Sequence, residues 1–185
     1  DAMKMIREHA AEWHVDPEAI AVIGFSAGGH LAANLATSTS DDVLEAHGYD
    51  PDAVRPNGLM LAYPVITSGT LAHRGSFDSL LGERRNDPEA LESVSIERHI
   101  DTKTPPVFVW HTVPDEIVPY ENTLMLIDAC KKAGVSVEAH LFPNGGHGLS
   151  LGTAETAWQG VNGIEPSMQI WTQLAVAWMR RTFAR

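Results

Sequence analysis

The chain has 185 residues, 44% of them apolar, which is enough to bury the core of one domain. It lacks the unbroken run of roughly 18 apolar residues that a membrane-spanning helix needs, and no membrane partner is expected. Its formal charge is −11, from 13 basic against 24 acidic residues, which repels polyanions and disfavours nucleic acid as a partner.

Residues 2–13 carry apolar side chains at helical spacing, with Ala2, Met5, Ile6, His9, Ala10 and Trp13 on one face. The first residue is Asp1 and the helical pattern begins at once, so the beginning of a longer protein is expected to be absent. No signal peptide is visible, and a cytoplasmic location is the expectation. Val15-Asp16-Pro17 breaks the helix. The apolar run 19–25 then enters Gly24-Phe25-Ser26-Ala27-Gly28, and a helix-favouring stretch follows with Leu31, Ala32, Leu35 and Ala36 as its inner face. This predicts a buried parallel strand, a sharp turn and a helix, with Ser26 at the tip in the pattern G-x-S-x-G. Such a turn is crowded, so small residues are required beside the serine. Gly24 and Gly28 meet that need and Gly29 adds to it.

Residues 37–56 are polar and turn-rich, with a short helix over 41–46. A second strand covers 58–63 and stops at Pro64. The stretch 65–106 is long and irregular, with short helices at 77–82 and from the Asp87-Pro88 pair, and reads as a partial cover over the site at about 65–105. A third strand, 106–111, leads into a loop containing Asp115. Pro119 opens a helix with Leu126, Ile127, Cys130 and Ala133 inward, closed by Gly134. Cys130, the one cysteine, excludes an intrachain disulfide and reads as a small buried side chain. A fourth strand, 135–142, ends in Gly146-His147-Gly148, and a helix over 166–183 closes the chain. The alternation of strand and helix predicts a parallel sheet with helices on both faces and right-handed crossovers.

Ser26, Asp115 and His147 then all fall at the C-terminal ends of strands, where such sheets hold their ligands. A serine hydroxyl attacks only if a base takes its proton. An imidazole can do so near neutral pH, and a carboxylate behind the imidazole fixes its tautomer. The three residues supply those roles, and the amide of Ala27 at the helix N-terminus lies where an oxyanion would form. Glu116 and Asp101 compete for the acid role. Glu116 is adjacent and would point elsewhere, and Asp101 stands at the wrong end of its strand. His111 reads as the end of a buried strand, and His30 as a residue that packs or bonds locally. Pro64, His73 and Val118 are expected to line the substrate pocket. No two histidines are spaced with a carboxylate for metal binding, so no metal is expected.

Four segments together resemble the α/β-hydrolase esterases, in particular their acetyl-esterase, acetylxylan-esterase-like branch. They are Gly24-Phe25-Ser26-Ala27-Gly28-Gly29-His30-Leu31-Ala32, Tyr63-Pro64-Val65-Ile66-Thr67-Ser68-Gly69, His111-Thr112 with Asp115, Val118 and Pro119, and Gly146-His147-Gly148-Leu149. The resemblance implies Ser26 as nucleophile, Asp115 as acid, His147 as base, short acyl esters of alcohols or sugars as substrates, and no cofactor. The family usually places about four strands and an oxyanion loop before the elbow strand, and neither is in this chain. The expectation is therefore the C-terminal portion of an α/β-hydrolase domain over residues 1–185, with its elbow strand as a bare apolar edge. A missing N-terminal segment or a second copy would cover that edge. The alternatives are a peptidase of the prolyl-oligopeptidase type and a non-catalytic, partner-dependent fragment.

Overall fold

The computed structural model describes residues 1–158 and 162–184. Four strands, β1 (Ala21–Phe25), β2 (Gly58–Ala62), β3 (Val107–Thr112) and β4 (Val137–Phe142), form one parallel sheet in the order β1-β2-β3-β4. Ala21 pairs with Gly58, Leu59 with Val107, and Val107 with Val137, so the strands end nearly level along one rim of the sheet. Parallel neighbours need long connections. These contain α1 (Ala2–Glu8) ahead of β1; α2 (Ala27–Thr37), α3 (Asp41–Ala46) and α4 (Pro51–Val54) after it; then α5 (Arg74–Leu81) and α6 (Pro88–Ser93); α7 (Glu121–Ala133); and α8 (Trp171–Thr182) after β4.

The pleat sends alternate residues of each strand to opposite faces. Leu59, Leu61, Val107 and Val109 face α2 and α7, where Ala32, Ala33, Ala36, Leu126 and Cys130 meet them. The alanines let α2 lie close to the sheet. Ala62, Phe108 and Trp110 face α8, where Trp171, Ala175 and Trp178 close a second, aromatic core. Burying each of these large side chains contributes on the order of 1.5–3 kcal/mol. Asn122 and Thr123 are buried polar residues of α7, and Asn122 serves the backbone. Its Oδ1 accepts the amides of Ile66 and Thr67, and its Nδ2 donates to the carbonyls of Leu71 and Pro119, so it ties the segment after β2 to α7.

Several sequence expectations shift. The first helix stops at Glu8 rather than running on to residue 13. Met3 is its buried residue, while Met5 and Trp13 are exposed and Trp13 stacks on His9. The stretch 65–106 is more regular than its composition suggests, because Asp87 caps α6 by accepting the Glu89 amide and Phe77 of α5 is buried against Val65 and Val118. Leu31 is not on the inner face of α2 but 71% exposed. It looks across the open side of β1, which among the described residues pairs with β2 alone. There Ile23 is exposed too, and with Val22, Phe25, Gly28, Leu31 and Leu35 it lines an apolar groove of about 650 Å³. No helix among the described residues is long and apolar enough to cross a membrane.

Candidate active site

Ser26 occupies the turn between β1 and α2 with φ 54° and ψ −121°, a conformation rarely adopted by a residue with a side chain. The strain is held from several sides. The Ser26 amide donates to the Ala62 carbonyl, and the Ser26 carbonyl accepts from the amides of Gly29, His30 and Val65. The glycines divide the work differently from the sequence expectation. A Cβ on Gly24 would stand 2.2 Å from the Gly28 carbonyl oxygen, and one on Gly29 would stand 2.8 Å from Pro64 Cβ, whereas one on Gly28 would meet nothing within 4 Å. Crowding at the elbow therefore demands Gly24 and Gly29, and Gly28 faces the open groove.

His147 sits in the loop after β4, where Thr112 Oγ1 donates to the neighbouring Gly146 carbonyl. Its Nδ1 lies 2.7 Å from Asp115 Oδ2 and its Nε2 lies 2.7 Å from Ser26 Oγ. The carboxylate can only accept, so Nδ1 carries the proton and Nε2 is left to accept from the serine hydroxyl. Tyr63, at the end of β2 with φ 38°, sets its ring edge-on against the imidazole at 4.9 Å. Its hydroxyl accepts the Ser150 amide, which pins the loop that carries His147.

Asp115 is buried, and Oδ1 accepts the amides of Ile117 and Val118, both at 2.9 Å. Burial disfavours its charge, but hydrogen bonds from His111, His147 and the Val118 amide outweigh that and hold the carboxyl well below the usual carboxylate range. The Tyr63 phenol is pushed up by burial, with the Ser150 amide opposing and the Asp115 charge adding to the rise. Burial lowers His30 against the pull of the Val94 carbonyl and of Glu97, and its Nε2 donates to that carbonyl at 2.7 Å. The Cys130 thiol is pushed up to about 11 by burial, which leaves it inert as a nucleophile.

Ser26, Asp115 and His147 are thus brought together, although 32 residues separate the last two and 121 separate the first from the last. Ala27 offers an amide of the first helical turn, which no carbonyl of its own helix can satisfy. Val118 is fully buried; its amide and carbonyl serve Asp115 and His111, and its side chain presents no surface to a ligand. Pro64 is buried against Gly29 beneath the elbow. His73 precedes α5 and bonds Ser76 Oγ through Nδ1. A mainly apolar recess of about 360 Å³ opens beside Ala27, bounded by His30, Leu31, Phe77, Leu80 and Val94. None of these five was anticipated as pocket lining. Among the described residues no group of three His, Cys, Asp or Glu side chains could hold a metal ion.

A family model described as BD-FAE matches residues 1–129. Endo-1,4-beta-xylanase B of Butyrivibrio fibrisolvens is 35% identical over 168 residues, which is 91% of this chain and 26% of that protein. The acetylxylan esterase of Xylanibacter ruminicola is 30% identical over 154 residues, 81% of this chain and 30% of that one. A solved acetyl ester-xyloside bifunctional hydrolase from Caldicellulosiruptor lactoaceticus superposes with a TM-score of 0.78 at 38% identity, over 97% of this chain and 62% of its own. The chain therefore spans less than a third of these two curated relatives and under two thirds of the solved one.

Proposed function

Because the chain belongs to the BD-FAE family and shares the α/β-hydrolase fold, we propose that it carries the catalytic centre of a serine carboxylic-ester hydrolase. The observation that carries this reading is the unbroken relay from Ser26 Oγ through the His147 imidazole to Asp115, at 2.7 Å for each link. Ser26 Oγ attacks the acyl carbon and its proton passes to His147 Nε2. The charge that gathers on the carbonyl oxygen is met by the Ala27 amide. Collapse of the tetrahedral species expels the alcohol, which leaves with the proton from His147. Water then attacks the acyl-serine and gives a proton to the same nitrogen, which passes it to Ser26 Oγ as the acyl–oxygen bond breaks and the acid is released.

Two relatives bear acetyl or acetylxylan ester names, which supports short acyl esters of a sugar or other alcohol. The acyl group, which stays on Ser26 while the alcohol leaves past His147, is assigned to the apolar recess beside Ala27. A second oxyanion donor is assigned to whatever covers the open edge of β1, either a preceding segment or a second copy. Losing one such donor costs on the order of 10²–10³ in rate, so a chain with the edge uncovered turns over slowly.

The test is release of p-nitrophenol from p-nitrophenyl acetate by the chain and by its Ser26→Ala variant. Turnover that disappears in the variant is the expected result. Turnover that survives in the variant would remove Ser26 from the chemistry and end this reading.

A further inference from the structure

His111 is completely buried, yet it is an imidazole two strands away from the nucleophile. Its Nε2 lies 2.9 Å from the Val118 carbonyl oxygen and 3.2 Å from Asp115 Oδ2. Both are acceptors, so Nε2 carries a proton and divides it between them. Its Nδ1 lies 2.9 Å from Thr123 Oγ1 on α7, which donates to it. The ring is therefore held in one tautomer from both sides. Asp115 Oδ2 accepts His147 Nδ1–H as well, so one carboxylate oxygen accepts a hydrogen bond from each of two imidazoles while Oδ1 accepts from two amides.

From this arrangement we propose that His111 is a positioning residue for the reaction: its Nε2–H fixes the Asp115 carboxylate beneath His147 and draws off part of its charge. A carboxylate held only by the two amides at Oδ1 could turn about its own axis and carry Oδ2 off the line to His147 Nδ1. His111 blocks that rotation. Among the described residues the titratable groups in contact with the pair are His111 from β3 and Tyr63 just after β2, and the neighbouring Glu116 is exposed. Asp115 forms no ion pair with a lysine or arginine among the described residues. The inference rests on the hydrolase reading for its kinetic consequences, though not for the bonds themselves.

Three substitutions separate the roles. His111→Gln can put an amide N–H where Nε2 stood, whereas His111→Asn is too short to reach Asp115 and His111→Phe fills the space without a donor. The Gln variant is expected to keep kcat close to wild type. The Asn and Phe variants should lose roughly tenfold in kcat with KM little changed. A loss of folded protein with kcat per folded molecule unchanged would reduce His111 to packing and overturn the proposal. Nuclear magnetic resonance detection of the His147 Nδ1–H held by Asp115 reads the same geometry without turnover. If wild type does not hydrolyse the ester, the hydrolase reading fails. The brace then stands or falls on whether that Nδ1–H signal is lost in His111→Asn and kept in His111→Gln.

Discussion

At the scale of single residues, the site is built from groups whose backbone or charge the rest of the chain must hold in place. Ser26 and Tyr63 both have positive φ, and they stand on either side of His147, one bonded to it and the other packed on its ring. Asp115 carries the clearest electrostatic signature. Burial works against its ionisation, but the donors from His111, His147 and Val118 more than offset it, so its carboxyl lies below its unfolded value of about 3.9. A depressed carboxyl stabilises the fold fully above the unfolded value, and that contribution is lost as pH falls toward the folded one. Urea unfolding at pH 7 and at pH 3 is expected to show a larger loss of stability in wild type than in Asp115→Asn, which has no carboxyl to protonate. Equal losses in the two proteins would mean that the donors around Asp115 do not favour its charge.

At the scale of elements, the question is how the cover after β2 is fixed to the sheet. Asn122 answers it with four hydrogen bonds from a single fully buried side chain on α7. Asn122→Leu keeps the number and branching of side-chain heavy atoms but orphans two amides and a carbonyl of the cover. A cost of about 3 kcal/mol or more in chemical denaturation is expected, since each of the three orphaned groups costs about 1–3 kcal/mol. A change below roughly 0.5 kcal/mol would show that the cover holds without this tie, as an ordinary surface position does. In the sequence Asn122 reads only as a polar position near a helix start. The same holds for His111, which looks like the last residue of an apolar strand. Ser26, Asp115 and His147 were legible because each stands in the turn or loop that follows an apolar run, and a parallel sheet gathers the ends of such runs on one rim. Asn122 and His111 were not, because what makes them necessary is a set of backbone groups contributed by another segment. Leu31 was misread for a related reason. Its helical spacing makes it an inner residue, but whether anything lies inward depends on what stands beyond β1.

At the scale of the whole molecule, that open side decides how the chain behaves alone. Among the described residues nothing pairs with the outer edge of β1, and beside it Ile23 at 45% and Leu31 at 71% exposure border the apolar groove. An exposed apolar edge strand is a template for another strand, and natural proteins blunt such edges with charge, most often lysine. None of Ala21, Val22, Ile23, Gly24 and Phe25 is charged. The chain is therefore expected to self-associate in sedimentation velocity runs at micromolar concentration. Ile23→Lys should shift it toward monomer with little loss of stability, because the side chain it replaces is already half in solvent. A wild-type chain that sediments as one stable monomer would show the edge to be protected within this chain. The proposed second oxyanion donor would then lose its route into the site, because the surface meant to receive it would already be closed.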